Sequence, residues 1–417
     1  MAADPSDPVS SSKPAIEAWL QRLAGMGGRF PALLAGNEPG SPAGFEHTLR
    51  EICQQPVTWT DTARRLLHFR HAMAESLGSY RRIVLTGSGS SQYAGECAAP
   101  FLRRSLGRSV TVAGGGDLLL NRASTADGEP TLVVSLARSG ESPESVAVVE
   151  TLLETEPGTR HLIITCNANG TLAREFAGSP RVTVVSLGDE VNDRSLVMTS
   201  SFTNLVLGAS FLGWLDRTDE FRAAVDRAGH AGERILECWP DRLADLAPAN
   251  IERIVFLGSG SRFGAAREGA LKLLEMTAGR VATMAETYLG LRHGPMCFID
   301  DRTLVVCFLS ADPVIRRYED DLIRELHDKQ LGACKLFAGL EDPGRGLIGP
   351  RDLSVSYRLP DSATNDEMAV LDVMLAQILG FQRCRLEGLS PDSPSVDGII
   401  SRVVGDFQIH RAEVNAQ

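Results

Sequence analysis

The sequence contains no Cys-x-x-Cys pair, no apolar run long enough to span a bilayer, no Gly-Lys-Ser/Thr signature and no excess of positive charge. Each absence excludes something. The eight cysteines (53, 97, 166, 238, 297, 307, 334 and 384) are scattered. They read as reduced thiols or small buried residues, not as a disulfide framework. No Cys/His cluster suggests a metal, and neither metal nor cofactor is expected. The most apolar stretch, 204–215, is too short for a membrane span. The opening MAADPSDPVSSSKP lacks the apolar core of a signal peptide. A soluble, cytoplasmic protein without a membrane partner is the expectation. The formal net charge of -11 argues against nucleic-acid partners and anionic membranes. An anionic ligand would need a local site that works against that field.

What the chain does have is an ordinary globular composition, 43% hydrophobic and 23% charged, spread over 417 residues. That length favours two or more domains. It also contains a repeat. "RIVLTGSGSS" from Arg82 returns as "RIVFLGSGS" from Arg253, an offset of 171 (253 − 82). "TLVVSLARSGES" from Thr131 is answered by "TLVVCFLSADP" from Thr303, an offset of 172 (303 − 131). Two anchors at nearly one spacing indicate two similar domains in tandem.

Within the first copy, apolar runs at 82–85, 109–112, 131–136, 161–165 and 182–187 alternate with helical stretches near 92–106 and 143–154. The second copy repeats the pattern with 253–257, a helix near 265–278, 303–309 and a helix near 317–330. Short apolar strands between helices predict βαβ units. The expected fold class is therefore α/β, two tandem doubly wound parallel-sheet domains. Residues 1–45 read as a partly ordered N-terminal extension, 46–235 as the first domain and 236–417 as the second. Residues 48–65 read as one or two helices broken near Pro56.

In parallel sheets, ligands sit at the carboxyl ends of the strands. The loop after Leu85 lacks the third glycine of a dinucleotide fingerprint and the lysine of a Walker loop. What remains is a cradle of hydroxyls and backbone N–H groups from Ser88, Ser90 and Ser91. The next loop, "ARSGESPES", supplies Arg138, Ser139 and Ser142. Proline suits the first helical position, so Ser142 reads as a helix N-cap before Pro143, with Ser139 one turn earlier. Free N–H groups at a helix start form an anion site, and Arg138 adds a positive fork. Either loop alone reads as turn and cap residues. The two together, at successive strand ends, favour a phosphomonoester site. The second copy has lost the Ser-Gly cap and carries Arg262 and Phe263 in place of Ser91 and Gln92, so its loop is expected to be architectural.

The segment from Gly264 to Pro295 places Leu271, Leu274 and Ala278 on one expected apolar helix face. Glu268, Lys272 and Glu275 fall on another face at i, i+4 and i+7, the spacing of a solvated salt-bridge stripe. Gly294 and Pro295 are helix-stop signals and put His293 at a helix C-terminus.

Taken together, "SGES", the paired Gly/Ser loops, "EGALKLLE", "AETYLGLRHGP", "LREICQQP", the Met198–Ser201 stretch "MTSS" and "PDSPSVDGIISRVV" resemble the SIS (sugar isomerase) family. The resemblance covers nearly all of the chain after residue 45. It is strongest to the tagatose-6-phosphate ketose/aldose isomerase group, also described as galactosamine-6-phosphate deaminases. The isomerase half of glucosamine-6-phosphate synthase is a more distant relative. The resemblance implies flavodoxin-like SIS domains and a cofactor-free enzyme acting on a sugar phosphate. It implies Glu275 as the carboxylate that moves a proton between C2 and C1, and His293 as the ring-opening residue. His293 would reach into a neighbouring subunit's site, which implies a homodimer with shared active sites. Ser90, Ser91, Arg138, Ser139 and Ser142 correspond to phosphate-loop positions, and Lys272 joins the substrate-binding set. The synthase carries serine and glutamine where this chain has Ala137 and Arg138. It carries a lysine in its C-terminal loop where this chain has Ser401 and Arg402. A plain aldose–ketose isomerase and a non-catalytic sugar-phosphate sensor are the alternatives.

Overall fold

A computed structural model describes residues 12–36, 44–121, 128–344, 346–405 and 408–410. Residues 1–11, most of the opening read above for a signal peptide, lie outside the described residues. Helices α1 (Lys13–Ala24), α2 (Arg29–Leu34), α3 (Glu46–Cys53) and α4 (Gln55–Leu77) precede the first sheet. That sheet unit runs β1 (Arg82–Gly87), α5 (Ser90–Leu106), β2 (Ser109–Gly114), α6 (Gly115–Leu120), β3 (Thr131–Ala137), α7 (Pro143–Thr155), β4 (Thr159–Thr165), α8 (Thr171–Phe176) and β5 (Val182–Ser186). Helices α9 (Ser200–Ser210), α10 (Thr218–Cys238) and α11 (Pro240–Leu246) connect it to the second unit. There follow β6 (Arg253–Leu257), α12 (Ser261–Met276), β7 (Ala282–Glu286), α13 (Tyr288–Leu291), β8 (Thr303–Phe308), α14 (Pro313–Asp328), β9 (Cys334–Gly339), β10 (Leu353–Ser356) and α15 (Asn365–Leu386).

Both sheets are five-stranded and parallel among the described residues, in the orders β2-β1-β3-β4-β5 and β7-β6-β8-β9-β10. The two orders are the same when each sheet is numbered from its own start, so the repeat in sequence is a repeat in topology. Central strands are buried along their whole length, as all seven residues of β3 and all six of β8 show. That is the burial of a parallel sheet covered on both faces. A single hydrophobic cluster runs from Ile83 and Leu132 in the first sheet, through Ala98, Ala266 and Leu375, to Ile254 and Leu304 in the second. The two units therefore share a helical middle layer, and separate clusters fill their outer faces.

The paired Gly/Ser loops have a common backbone cause. Gly89 and Gly260 precede α5 and α12 with φ of 56° and 59°, a conformation that L side chains rarely adopt. A Cβ on Gly87 would lie 2.6 Å from Ser91 Cβ, and one on Gly258 would lie 2.3 Å from the Arg262 carbonyl oxygen. Each glycine lets the chain turn sharply from strand into helix.

Three expectations change. The 1–45 segment holds two helices whose Ile16, Trp19, Leu23 and Phe30 are built into the shared core, so it is more than an extension. The expected boundary at 235/236 falls inside α10. The expected helix ending at His293 is a single turn, α13, followed by a turn over 292–294 and a 3-10 helix from Pro295 to Phe298. Pro56, by contrast, starts α4 from its first turn and separates it from α3. Among the described residues no helix is long and apolar enough to cross a membrane.

Candidate active site

The order β2-β1-β3-β4-β5 reverses direction between β1 and β3, and a crevice opens at such a switch point. The loop after β1 leads into α5, whose Ala94, Ala98 and Leu102 face the shared core. The loop after β3 leads into α7, whose Val148, Val149 and Leu152 face the outer clusters. The two loops thus diverge to opposite faces, and a cleft of about 420 Å³ lies between them. Ser88, Ser90, Ser91, Arg138, Ser139 and Ser142 line it, together with Lys272 and Glu275 from α12 and residues 399–402, 404 and 405 from the C-terminal segment. Sequence positions read as one site therefore come together from three parts of the chain.

Ser142 occupies the N-cap position of α7, but its side chain makes no capping bond. The first N–H groups of this helix therefore have no capping side chain, which suits a phosphate. The second copy differs at the same place. Asp312 caps α14 with its own carboxylate, accepting from the N–H groups of Val314 and Ile315 at 2.8 and 3.1 Å. Its Gly/Ser loop is occupied as well: Ser259 donates to Glu319 at 2.8 Å and Ser261 donates to Asp366. Arg262, fully buried, donates to both oxygens of Asp372 and to the carbonyls of Leu309 and Ala338. Side-chain carboxylates already fill the second copy where an anion would have to sit.

The stripe Glu268–Lys272–Glu275 is not solvated. Glu268 and Lys272 are buried to 0% and 1% exposure, because α5 packs across this face of α12. Leu274, placed on the expected apolar face, is exposed instead. Lys272 Nζ lies 2.5 Å from Glu275 Oε2 and 3.4 Å from Glu268 Oε1, and it donates to Ser90 Oγ at 3.0 Å. The two carboxylate contacts are ion pairs by distance without aligned hydrogen-bond geometry, since Glu275 Oε2 and both Glu268 oxygens lack a hydrogen-bond partner. Burial pushes the Glu268 carboxyl up to about 8, against the pull of Lys272 and with a further push from Glu275. Burial works to lower the Lys272 ammonium, but the charges of Glu268 and Glu275 outweigh it and hold it above the usual lysine range. Burial thus favours a proton on Glu268 beside a charged Lys272. Glu275 is the partly exposed member, with 23% of its side chain accessible, and faces the cleft.

Arg138 is placed differently from the expected phosphate fork. Its Nη1 donates to the carbonyls of Ser195 and Leu196 at 3.2 and 2.9 Å, and its Nη2 donates to the Arg402 carbonyl. Arg402 donates to the Asp193 carbonyl and to Asn192 Oδ1. His293 is exposed and does not line the cleft of its own chain.

Two groups behind the cleft carried no local signal. Asp193 accepts from the N–H groups of Thr199 and Ser201 at 2.7 and 2.8 Å and from the hydroxyls of Ser200 and Ser201, and so caps α9. Glu51 accepts from Arg194 N and from the Ser195 N–H and hydroxyl, and burial with the nearby Asp193 charge pushes it up to about 8. The "LREICQQP" and "MTSS" stretches marked both neighbourhoods without revealing their chemistry.

A switch-point crevice lined with hydroxyls, into which a second like domain brings Lys272 and Glu275, fits an SIS architecture. The chain belongs to the SIS domain family: that family's model matches residues 76–187, which span the first sheet. It is 38% identical over 377 residues, 87% of this chain and 95% of the relative, to a Streptomyces coelicolor protein provisionally named D-galactosamine-6-phosphate deaminase AgaS. It is 34% identical over 382 residues, 89% of this chain and 97% of the relative, to the D-galactosamine-6-phosphate deaminase AgaS of Escherichia coli O157:H7. The crystal structure of tagatose-6-phosphate ketose/aldose isomerase from Escherichia coli superposes with a TM-score of 0.77 at 32% identity, covering 84% of this chain and 95% of that one.

Proposed function

We propose that the chain is a cofactor-free deaminating aldose–ketose isomerase that converts galactosamine 6-phosphate and water into tagatose 6-phosphate and ammonia. The observation that carries this reading is the meeting of Glu275 and Lys272 with the serine loops in one cleft. The names of the AgaS relatives support the choice of substrate.

The phosphate sits between the loop of Ser88, Ser90 and Ser91 and the start of α7 beside Ser139 and Ser142. Binding there positions the sugar remotely from the reacting carbons. His293 assists ring opening, and the aldehyde acidifies C2–H. Glu275 removes that proton to form an enolamine and returns it to C1. The C2 nitrogen is then a ketimine, which water hydrolyses to the ketose and ammonia. Lys272, 2.5 Å from Glu275 Oε2, holds that carboxyl group in place beside the serine loops. Because His293 is exposed and outside its own chain's cleft, we assign it to the cleft of a second subunit in a homodimer. A phosphorylated substrate, confined by its charge, places the reaction in the cytoplasm.

A plain aldose–ketose isomerase is the second reading, favoured by the tagatose-6-phosphate isomerase named for the superposed structure. Assaying ammonia from galactosamine 6-phosphate and glucosamine 6-phosphate separates the two. Ammonia in step with ketose supports deamination, and ketose from the 2-hydroxy sugar phosphate alone supports simple isomerisation. Binding without turnover of either would leave a sensor.

A further inference from the structure

We propose that Arg138 and Arg402 form a latch that seats the C-terminal segment 399–405 as one wall of the substrate cleft. Both are positioning residues, and neither is a phosphate ligand. The argument starts from where the donors go. Arg138 is buried to 8% exposure, and its two terminal nitrogens reach three backbone carbonyls: Ser195, Leu196 and, 264 positions away, Arg402. Arg402 returns the link, donating through Nε and Nη2 to the Asp193 carbonyl at 2.9 and 2.6 Å, and through Nη2 to Asn192 Oδ1 at 2.8 Å. The stretch 192–196 is therefore gripped from both sides.

That stretch is itself anchored. Glu51 holds the backbone of Arg194 and Ser195, and Asp193 caps α9. The latch thus ties the C-terminal segment to a fixed point of the first domain. Ile399, Ile400, Ser401, Arg402, Val404 and Gly405 line the same cleft as the serine loops. Among the described residues, their other hydrogen bonds are local: Ile400 N donates to Ser395 Oγ, and Ser401 Oγ to the Val403 carbonyl. Guanidinium suits this role. It is a rigid planar fork whose separated donors hold several carbonyls in a fixed geometry, whereas an ammonium offers its three donors from one rotatable point. Seating the segment fixes the cleft's width and screens Glu275 from bulk water, and a displacement of about 1 Å in such a site can cost about 10²-fold in rate.

The kinetic arm of the test rests on the deaminase reading above; the hydrogen-exchange arm does not, so the two ideas can fail separately. The full-length chain is compared with Arg138→Ala, Arg138→Lys, Arg402→Ala and the double alanine variant. Amide exchange of peptides covering 396–405 is followed by mass spectrometry, and kcat and KM are measured on galactosamine 6-phosphate. The latch predicts faster exchange in that stretch for every variant. It predicts a fall in kcat/KM of about 10- to 100-fold in each single variant, no rescue by lysine, and a double variant little worse than either single one. Unchanged exchange in 396–405 overturns the latch. So does rescue by Arg138→Lys together with a loss confined to KM for the phosphorylated sugar, which is the signature of a phosphate ligand. If Arg138→Ala does not fold, Arg402→Ala and Arg138→Lys carry the same comparison, and unaltered exchange in either overturns it.

Discussion

Lys272 is one of four lysines in the chain and the only one in the cleft. Around it sit a carboxyl that burial has pushed up to about 8 and another that faces the substrate space. Glu268 carries a consequence for stability. Its folded pKa is raised above the unfolded value, so between about 4.5 and 8 the folded state holds a proton that the unfolded state has released. Its contribution is present in full below 4.5 and is lost as pH rises through 8. Glu268→Gln mimics the protonated form at every pH. Thermal melts at pH 5.5 and pH 8 should therefore show the wild type losing more stability on alkalinisation than Glu268→Gln. Glu51, raised in the same window, stays common to both proteins and cancels in the comparison. Equal slopes would mean that Glu268 is ionised throughout.

At the scale of elements, α12 and α5 act as one unit, since α12 carries Lys272 and α5 carries Ser90. They cross where Gly264 meets Cys97, and a Cβ on Gly264 would lie 2.6 Å from Cys97 N. Gly264→Val should overpack this crossing and cost about 1–3 kcal/mol. Because it pushes Lys272 away from Ser90, kcat/KM should fall as well, and urea titration with steady-state kinetics reads both. The second Gly/Ser loop gives the opposite pairing. Arg262→Met leaves Asp372 buried without its cation and should cost about 3–5 kcal/mol. KM for the phosphorylated sugar should stay near wild type, and a selective loss of phosphate affinity at unchanged stability would refute the asymmetry between the copies.

The elements also show what could be read from the chain. The β1 and β3 loops were legible because glycine at positive φ and proline after an N-cap act locally. The strands β7, β9 and β10 were not. The first, ATMAE, has no alternation in its burial, β9 is buried along its whole length and so shows no period of two, and β10 is four residues long. Helix α15 is buried continuously from Met368 to Phe381, so it has no 3.6-residue stripe to detect. Spacing alone cannot separate a solvated Glu–Lys–Glu stripe from a buried one, because the deciding contact comes from a helix far earlier in the chain, as the Lys272–Ser90 bond shows (separation 182). The acceptors that occupy the Arg138 fork are equally remote in sequence, 57, 58 and 264 positions away.

At the scale of the whole molecule, the net charge of -11 repels an anionic substrate, and the cleft opposes it with Arg138, Lys272 and Arg402. If His293 serves the partner's cleft, Glu275→Gln and His293→Ala should each be nearly inactive. Exchange of subunits between them should restore activity. At full random exchange roughly a quarter of sites would regain both groups, far above the residue left when an acid–base group worth about 10²–10⁴-fold is missing. Exchange verified by mass without recovery would confine His293 to its own chain.

The central claim is that Glu275 moves the proton that leads to deamination. Its most direct test is ammonia release from galactosamine 6-phosphate by the wild type and by Glu275→Gln, with substrate binding measured on both. The account predicts ammonia and tagatose 6-phosphate in equal amounts from the wild type. It predicts a loss of about 10²–10⁴-fold in kcat for the variant, with binding retained. Wild-type protein that releases no ammonia, or a variant that releases it at the wild-type rate, would contradict it.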